Sequence, residues 1–104
     1  MGSISLSDIR LGHTIKITPK GPVTITTNDH GTPRMTFRAE VHRKKGGSLV
    51  RTIVAMGRAH DTLADVVREG ERLSIRGFYD RMPANEDGSR GAEYVTAIGL
   101  PRAA

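Results

Sequence analysis

The chain has 104 residues, 37% of them hydrophobic and 26% charged, which indicates one folded domain and excludes a largely disordered protein. It contains no cysteine, so disulfides, thiolate metal sites and thiol catalysis are excluded. Its formal net charge of +5 and pI of about 10.2 favour a polyanionic partner such as nucleic acid, although a basic surface is equally compatible with simple solubility.

The sequence carries no signal for a membrane or for secretion. No apolar run approaches the roughly 20 residues that a membrane-spanning helix needs. The first residues lack the basic and then apolar pattern of a secretory signal. We therefore expect a cytoplasmic protein with no membrane partner, built as an irregular segment over residues 1–12, one domain over residues 13–100 and a short tail over residues 101–104.

The domain opens with two alternating stretches. Over His13–Thr18, Ile15 and Ile17 share one side, which is typical of a half-buried strand. The segment Pro19–Pro22 interrupts the pattern, because proline donates no hydrogen bond to a sheet. The alternation resumes over Val23–Thr27. The pattern predicts either one strand bent in its middle or two short strands.

The clearest strand follows a turn signal at Asn28–Gly31. Over Arg34–Arg43 the apolar residues fall on alternate positions, which predicts one core face and one outer face. The core positions are Met35, Phe37, Ala39 and Val41, and the outer positions are Arg34, Thr36, Arg38, Glu40 and His42.

A basic glycine turn at Lys44–Gly47 leads into the next predicted strand, Ser48–Gly57, so the two strands should form a hairpin. The centre of this third strand, Ile53–Met56, is apolar at every position. Such a run is typical of a strand buried on both faces or of one that lines an interface between subunits.

A short helix is predicted after this hairpin. Asp61 is a candidate N-cap, because its carboxylate can accept a hydrogen bond from a free backbone N–H. Leu63, Val66 and Val67 then form one apolar stripe, and Gly70 is a candidate helix stop. A fourth strand over Arg72–Arg81 should follow.

The chain then predicts a long polar loop over Met82–Gly91 and a last strand over Ala92–Leu100. Five strands with one short helix between the third and fourth are typical of the OB-fold, an all-β barrel whose helix covers one end.

Three segments resemble bacterial single-stranded DNA-binding proteins and their primosomal protein B branch. Gly31–Phe37 is similar to that family's glycine turn and second strand, and Ile53–Ala59 to its apolar run followed by glycine and a basic residue. Val66–Gly77 is similar to its helix end and fourth strand, and the likeness spans residues 13–100. The resemblance implies an OB-fold homodimer or homotetramer that binds single-stranded DNA in replication, repair, recombination or plasmid and mobile-element maintenance.

The chain departs from that family in its aromatic residues. It contains no tryptophan, Val50 stands at a position that the family fills with tryptophan, and Met56 stands where phenylalanine is frequent. The family's acidic C-terminal tail, which recruits partners, has no counterpart in residues 101–104. We therefore expect a primosomal or mobile-element type of relative, with replication or recombination proteins as further candidate partners.

Single-strand binders combine cations that follow the phosphates with flat side chains on which bases stack. We expect such a site on the outer face of the second, third and fourth strands and at the hairpin tip. The candidate DNA-binding residues are Arg34, Arg38, His42, Arg43, Lys44, Lys45, Arg51, Arg58, Arg76, Phe78, Arg81 and Arg90.

The aromatic residues divide by the alternation of their strands. Phe37 falls on a core position. In the fourth strand Tyr79 is expected to point inward and Phe78 outward beside Arg76, unless a bulge at Gly77 shifts them. Phe78 is therefore a candidate stacking platform, and Tyr94 is equally compatible with packing and with stacking.

No catalytic or cofactor-binding pattern is visible, so we expect a protein that is not an enzyme. His13, His30, His42 and His60 are isolated, without the spacing of a metal site, and each is expected at the surface or in a turn. No phosphate-binding glycine loop or nucleophile motif appears.

Two other classes of function stay open. A protein-interaction module would use the apolar strand Ile53–Met56 as an interface, because an OB barrel does not by itself define a function. RNA binding of the cold-shock type would call for an aromatic-rich pair of strands, which this chain lacks.

Overall fold

Five strands and one short helix make up the computed structural model, which describes residues 12–101. The elements are β1 (His13–Thr27), β2 (Pro33–His42), β3 (Ser48–Met56), α1 (Arg58–Ala64), β4 (Leu73–Arg81) and β5 (Glu93–Gly99). Of the irregular segment expected over residues 1–12 and the tail expected over residues 101–104, residues 1–11 and 102–104 lie outside the described residues. No helix within the described part of the chain is long and apolar enough to cross a membrane.

The strands close into a barrel in the order β1-β2-β3-β5-β4. β3 and β5 run parallel, and the other neighbouring pairs are antiparallel. Because β1 pairs with both β2 and β4, the sheet has no free edge strand. This architecture confirms the predicted five-stranded OB-fold with one helix between its third and fourth strands.

β1 is one long strand with a bend. Its pairing with β2 shifts between Lys20 and Thr24, around the glycine and proline that interrupt the sequence pattern. Before this irregularity, the first five residues of the strand, His13–Ile17, pair with β4. Of the two predicted alternatives, the bent strand is therefore correct, and the bend allows a single strand to close the barrel.

The core consists of the inward-facing positions of all five strands together with one side of the helix. The four residues of β2 predicted to be core, Phe37 among them, are buried. Alternation alone predicted these positions because one face of β2 packs inward along its whole length. The other buried hydrophobic residues are Ile15, Ile17, Ile53, Val54, Ala55, Ala59, Leu63, Val67, Ile75, Val95 and Ala97.

The helix begins and ends earlier than the sequence pattern predicted. Gly57, with a φ of 57°, turns the chain out of β3. The carbonyl of Gly57 accepts a hydrogen bond from the N–H of Asp61 at 3.0 Å. Asp61 therefore lies inside the first turn, and its predicted N-cap role is wrong. Leu63 is fully buried and plugs the barrel end, whereas Val66 is 39% exposed and lies beyond the helix.

Gly70 does not stop the helix, so that prediction is also wrong. It has a φ of +81° in a turn before β4, and its N–H donates to the carbonyl of Pro19 at 2.9 Å. In the same turn, a carboxylate oxygen of Glu69 accepts a hydrogen bond from the N–H of Gly21 at 3.0 Å. The positive φ of Gly70 therefore forms a turn that is hydrogen-bonded to β1 near its bend.

The bulge considered at Gly77 is present, since the pairing of β4 with β5 shifts between Arg76 and Gly77. A Cβ atom at Gly77 would lie 2.5 Å from the carbonyl oxygen of Thr96, so only glycine fits there. Tyr79 pairs with the buried Val95, which places it on the inward side of the sheet as predicted. The barrel end is open at this point, however, and Tyr79 is 57% exposed rather than buried.

Candidate nucleic-acid interface

A groove of about 670 Å³ crosses the outer face of β2, β3 and β5. Ala59 of the helix lies at one end, where β3 stops. Met82 and Ala92, from the loop between β4 and β5, lie at the other end. The floor between them is largely apolar and includes Val54 and Met56, the latter 50% exposed.

The register of four strands arranges the outer face in rows. Residues directly opposite one another on paired strands share a face of the sheet. One row contains Arg38, Thr52, Tyr94 and Asp80, on β2, β3, β5 and β4 respectively. The next row contains Thr36, Val54, Thr96 and Phe78. A hydrogen bond connects the two rows, since the hydroxyl of Thr96 donates to a carboxylate oxygen of Asp80 at 2.7 Å.

Two of the predicted cations, Arg34 and Arg38, are exposed and line the groove. The Nη1 of Arg38 donates to the hydroxyl oxygen of Thr52 at 3.0 Å, across β2 and β3. This bond holds the guanidinium over the groove while leaving its other N–H groups available to a ligand. A cation placed above an apolar floor can bind a phosphate while the base contacts the floor.

Tyr94 is the aromatic residue that lines this groove. It is half-buried and lies in the same row as Arg38, separated from it by Thr52. Its sequence pattern left packing and stacking equally open, and it was not among the candidate site residues. The signal that identifies it is the alternation of β5, because its neighbour Val95 points inward and Tyr94 must then point outward.

Phe78 lies one strand further, on the outer face of β4 and next to Thr96. It is half-buried, and its outward direction agrees with the prediction. It is not among the residues that line the groove. The aromatic residue that the structure brings to the two groove arginines is therefore Tyr94.

Arg51 and Arg81 converge on Glu93, at the end of the groove near the long loop. An Nη2 atom of Arg51 lies 3.0 Å from one carboxylate oxygen of Glu93, and Arg81 pairs with the other oxygen. Arg81 also donates from Nη1 to the carbonyl of Gly91 at 2.8 Å. The hydrogen bond from Arg51, together with the positive charge of Arg81, lowers the pKa of Glu93 below its ordinary value.

Sequence reasoning missed Glu93. A carboxylate that accepts from two predicted DNA-binding arginines partly neutralises both of them. The spacing of residues in the sequence does not predict this contact, because Arg51 and Glu93 come together only through the parallel pairing of β3 with β5.

The hairpin tip between β2 and β3 carries three of the predicted cations. Backbone hydrogen bonds close this turn, from Gly46 N–H to the carbonyl of Arg43 at 3.1 Å and from Arg43 N–H to the carbonyl of Gly47 at 3.0 Å. Arg43, Lys44 and Lys45 are all exposed. His42, just before the tip, is half-buried, and its Nε2 lies 2.7 Å from the hydroxyl oxygen of Thr18.

The remaining candidates lie apart from the groove. Arg58 is the exposed first residue of α1, and Arg90 is exposed in the long loop. Arg76 lies on β4, where its Nε is buried without a hydrogen-bond partner among the described residues. The predicted cations thus fall into three groups: two over the groove, two bound to Glu93, and the others at the hairpin tip or elsewhere on the barrel.

Within residues 12–101, no three histidine, aspartate or glutamate side chains are grouped so that they could hold a metal ion. His60, expected at the surface, instead lies on α1 with a side chain only 14% exposed, and its Nδ1 is 3.1 Å from a carboxylate oxygen of Asp61. The groove over β2, β3 and β5 is a candidate site that combines exposed arginines, an apolar floor and an aromatic ring.

No protein-family model matches the chain, and no curated protein matches it in sequence. Among solved structures, its fold is similar to that of a deletion mutant of the single-stranded DNA binding protein from Thermus aquaticus. The TM-score is 0.53 at 13% sequence identity, over 88% of this chain and 50% of that one. The likeness supports the OB-fold of this chain, which covers about half of the length of that one.

Proposed function

We propose that this protein binds single-stranded DNA, without sequence preference, in the groove across β2, β3 and β5. The observation that carries the proposal is the placement of Arg34 and Arg38 above an apolar floor that includes Tyr94. OB-fold proteins use the face of their second and third strands and the loop between the fourth and fifth for oligonucleotides. The groove includes the face of β2 and β3 and the loop between β4 and β5, and it adds residues of β5 and of the helix.

The chemistry of the groove suits a single strand better than a duplex. The unpaired bases of a single strand can contact Tyr94 and Met56, whereas a duplex keeps its bases stacked inside. The arginines supply an attraction to phosphates that does not depend on the base sequence. No pattern of hydrogen-bonding groups selects one base, since the floor consists mainly of apolar side chains and threonines.

We also propose a homodimer or homotetramer, acting in DNA replication, repair or recombination. Exposed apolar side chains outside the groove support self-association, because a contact between subunits would cover them. Among the described residues, Ile25, 55% exposed on the β1–β2 hairpin, is the most exposed aliphatic one of these. Light scattering measures the state directly, and a monomer at micromolar concentration would contradict this part of the proposal.

The test of DNA binding is fluorescence anisotropy with labelled oligo-dT, at low and moderate salt, with duplex DNA as competitor. The label is extrinsic because the chain has no tryptophan. Tight binding that weakens with salt and resists the duplex is the expected result. Absence of binding at low salt, or equal competition by the duplex, would rule the proposed function out.

The second candidate function is a protein-interaction module. The apolar floor of the groove favours it, because Met56 and Met82 are exposed there and flexible methionines suit a protein partner. This reading predicts that Arg34→Gln/Arg38→Gln leaves partner binding largely intact while oligo-dT binding is absent from the wild type. The same anisotropy titration therefore separates the two candidates.

A further inference from the structure

A second concave surface lies where β1 separates from β2. The two strands pair from Lys16 onward, and the first residues of β1 pair with β4 alone. The resulting cleft has a volume of about 930 Å³. Four cationic side chains line it: Lys16, Arg43, Lys44 and Arg72. None of its described lining residues is acidic.

The exposed ring of Tyr79 belongs to this cleft. The ring centroid lies 6.3 Å from that of His13, with 36° between the two planes. The register places both side chains on the inward side of the sheet. Both are exposed, because they lie at the end of the barrel, past the buried core residues. A cleft that holds an exposed aromatic ring and is lined by four cationic side chains combines the two elements that a single-stranded nucleic acid requires.

A continuous path connects the cleft with the groove. A shallow depression shares Arg38 and Glu93 with the groove, and a second depression shares Glu93 and Arg51 with the first. The second depression in turn shares Arg43 and Tyr79 with the cleft. A strand leaving the groove would therefore pass Arg51 and Arg81, both paired with Glu93, before it reaches Tyr79. The carboxylate of Asp80 also lines this part of the path.

We propose that the cleft around Tyr79 is a second binding site, which takes the continuation of the strand that lies in the groove. The proposal rests on the proposed function, since it assigns a second segment of the same ligand. In it, the ring of Tyr79 stacks on a base, and Lys16, Arg72 and Lys44 bind the flanking phosphates. The depressions around Glu93 carry the nucleotides between the two sites.

The experiment compares two lengths of oligo-dT, about 5 and about 15 nucleotides, which bracket roughly the 4–16 nucleotides that one OB-fold covers. The labelled long oligonucleotide is titrated directly, and the short one is measured as its competitor. The cleft variants are Lys16→Gln/Arg72→Gln and Tyr79→Leu. The groove variant is Arg34→Gln/Arg38→Gln. The control is Lys20→Gln/Arg68→Gln, which removes two positive charges, as the cleft double variant does, from exposed residues that line neither site.

We expect the cleft variants to weaken binding of the long oligonucleotide by about tenfold and that of the short one by less than about twofold. The groove variant should weaken both. Equal losses for both lengths in the cleft variants would overturn the second site, as would an unchanged affinity for the long oligonucleotide.

A loss in Lys20→Gln/Arg68→Gln as large as that in the cleft double variant would also overturn the second site, because net charge would then explain the result. Wild-type protein that binds neither length would instead refute the proposed function itself, so the two failures are distinguishable. Thermal unfolding of each variant shows that the barrel is retained.

Discussion

The guanidinium of Arg38 is held by the hydroxyl of Thr52, at 3.0 Å on the neighbouring strand. Thr52 in turn lies beside Tyr94 in the register of β3 with β5. One hydrogen bond thus sets the position of a cation relative to an aromatic ring two strands away. Arg38 and Tyr94 both line the groove, and in the proposed function they contact one nucleotide, Arg38 at the phosphate and Tyr94 at the base.

Replacing Arg38 with glutamine should weaken binding of oligo-dT by about five- to tenfold and reduce the slope of log affinity against log salt by about 1. Thr52→Val retains the charge and removes only the hydrogen bond. It should cause a smaller loss and leave the slope unchanged, because the number of neutralised phosphates stays the same. Anisotropy titrations at several salt concentrations measure both quantities, and an unchanged slope in Arg38→Gln would remove this residue from the phosphate path.

Replacing Tyr94 with leucine should reduce the binding free energy by about 1–3 kcal/mol, the contribution of one stacked base. Tyr94→Phe keeps the ring and should bind within about twofold of the wild type. Phe78→Leu is the matched control on the next strand, and a smaller loss is expected because Phe78 does not line the groove. If Phe78→Leu lowers the affinity more than Tyr94→Leu does, the stacking site lies on β4 instead.

Replacing Glu93 with glutamine should raise the affinity for single-stranded DNA by about two- to fivefold, because it releases Arg51 and Arg81 for contact with phosphates. The same substitution at Glu71, an exposed carboxylate that lines neither the groove nor the cleft, controls for net charge. A lower affinity in Glu93→Gln would mean that the two arginines need their carboxylate partner in order to be positioned.

Acid should weaken the fold partly through Glu93. Its pKa is lowered in the folded protein by Arg51 first and by Arg81 next, so the unfolded chain binds this proton more readily. The carboxylate therefore contributes stability above its ordinary pKa, and that contribution is lost as the pH falls through the lowered value. The thermal unfolding midpoint of the wild type, followed from neutral pH to about pH 3, should fall more steeply than that of Glu93→Gln. If the unfolding midpoints of the two proteins fall in parallel with pH, the ion pairs of Glu93 do not contribute to the stability of the fold.

Replacing Leu63 with alanine should destabilise the protein by about 2–5 kcal/mol, because it leaves a cavity where the helix plugs the barrel. Val66→Ala is the control, since Val66 is partly exposed beyond the helix, and should cost less than about 1 kcal/mol. Denaturant unfolding followed by circular dichroism measures both. Equal losses would show that the apolar stripe predicted from the sequence, rather than the shorter observed helix, covers the barrel end.

Local alternation predicted the strands well where a strand keeps one face in the core along its whole length. In β2 it identified Met35 and Phe37 as buried and Arg34 and Arg38 as exposed. It was less informative at the barrel ends. Tyr79 is on the inward side of its strand, yet it is exposed because the core stops before it.

The helix boundaries show the same limit. The spacing of Leu63, Val66 and Val67 predicted a helix that ends at Gly70, whereas the backbone turns at Gly57 and the helix has ended by Asp65. After Ala64 the chain runs through turns over residues 65–72, and it is bonded to β1 there, because the N–H of Gly70 donates to the carbonyl of Pro19. Tertiary packing thus overrides a local periodicity of only three residues.

The amino-acid sequence by itself determined the number and order of the strands, the single helix after the third of them, and the excess of positive charge. These features follow from alternation and composition, which are properties of neighbouring residues. Only the tertiary structure decided which charges act together. The pairing of β3 with β5 brings Arg51 to Glu93 and Tyr94 to the row of Arg38, although more than forty residues separate them in the chain. A contact between residues so far apart depends on how the barrel closes, and no local pattern encodes it.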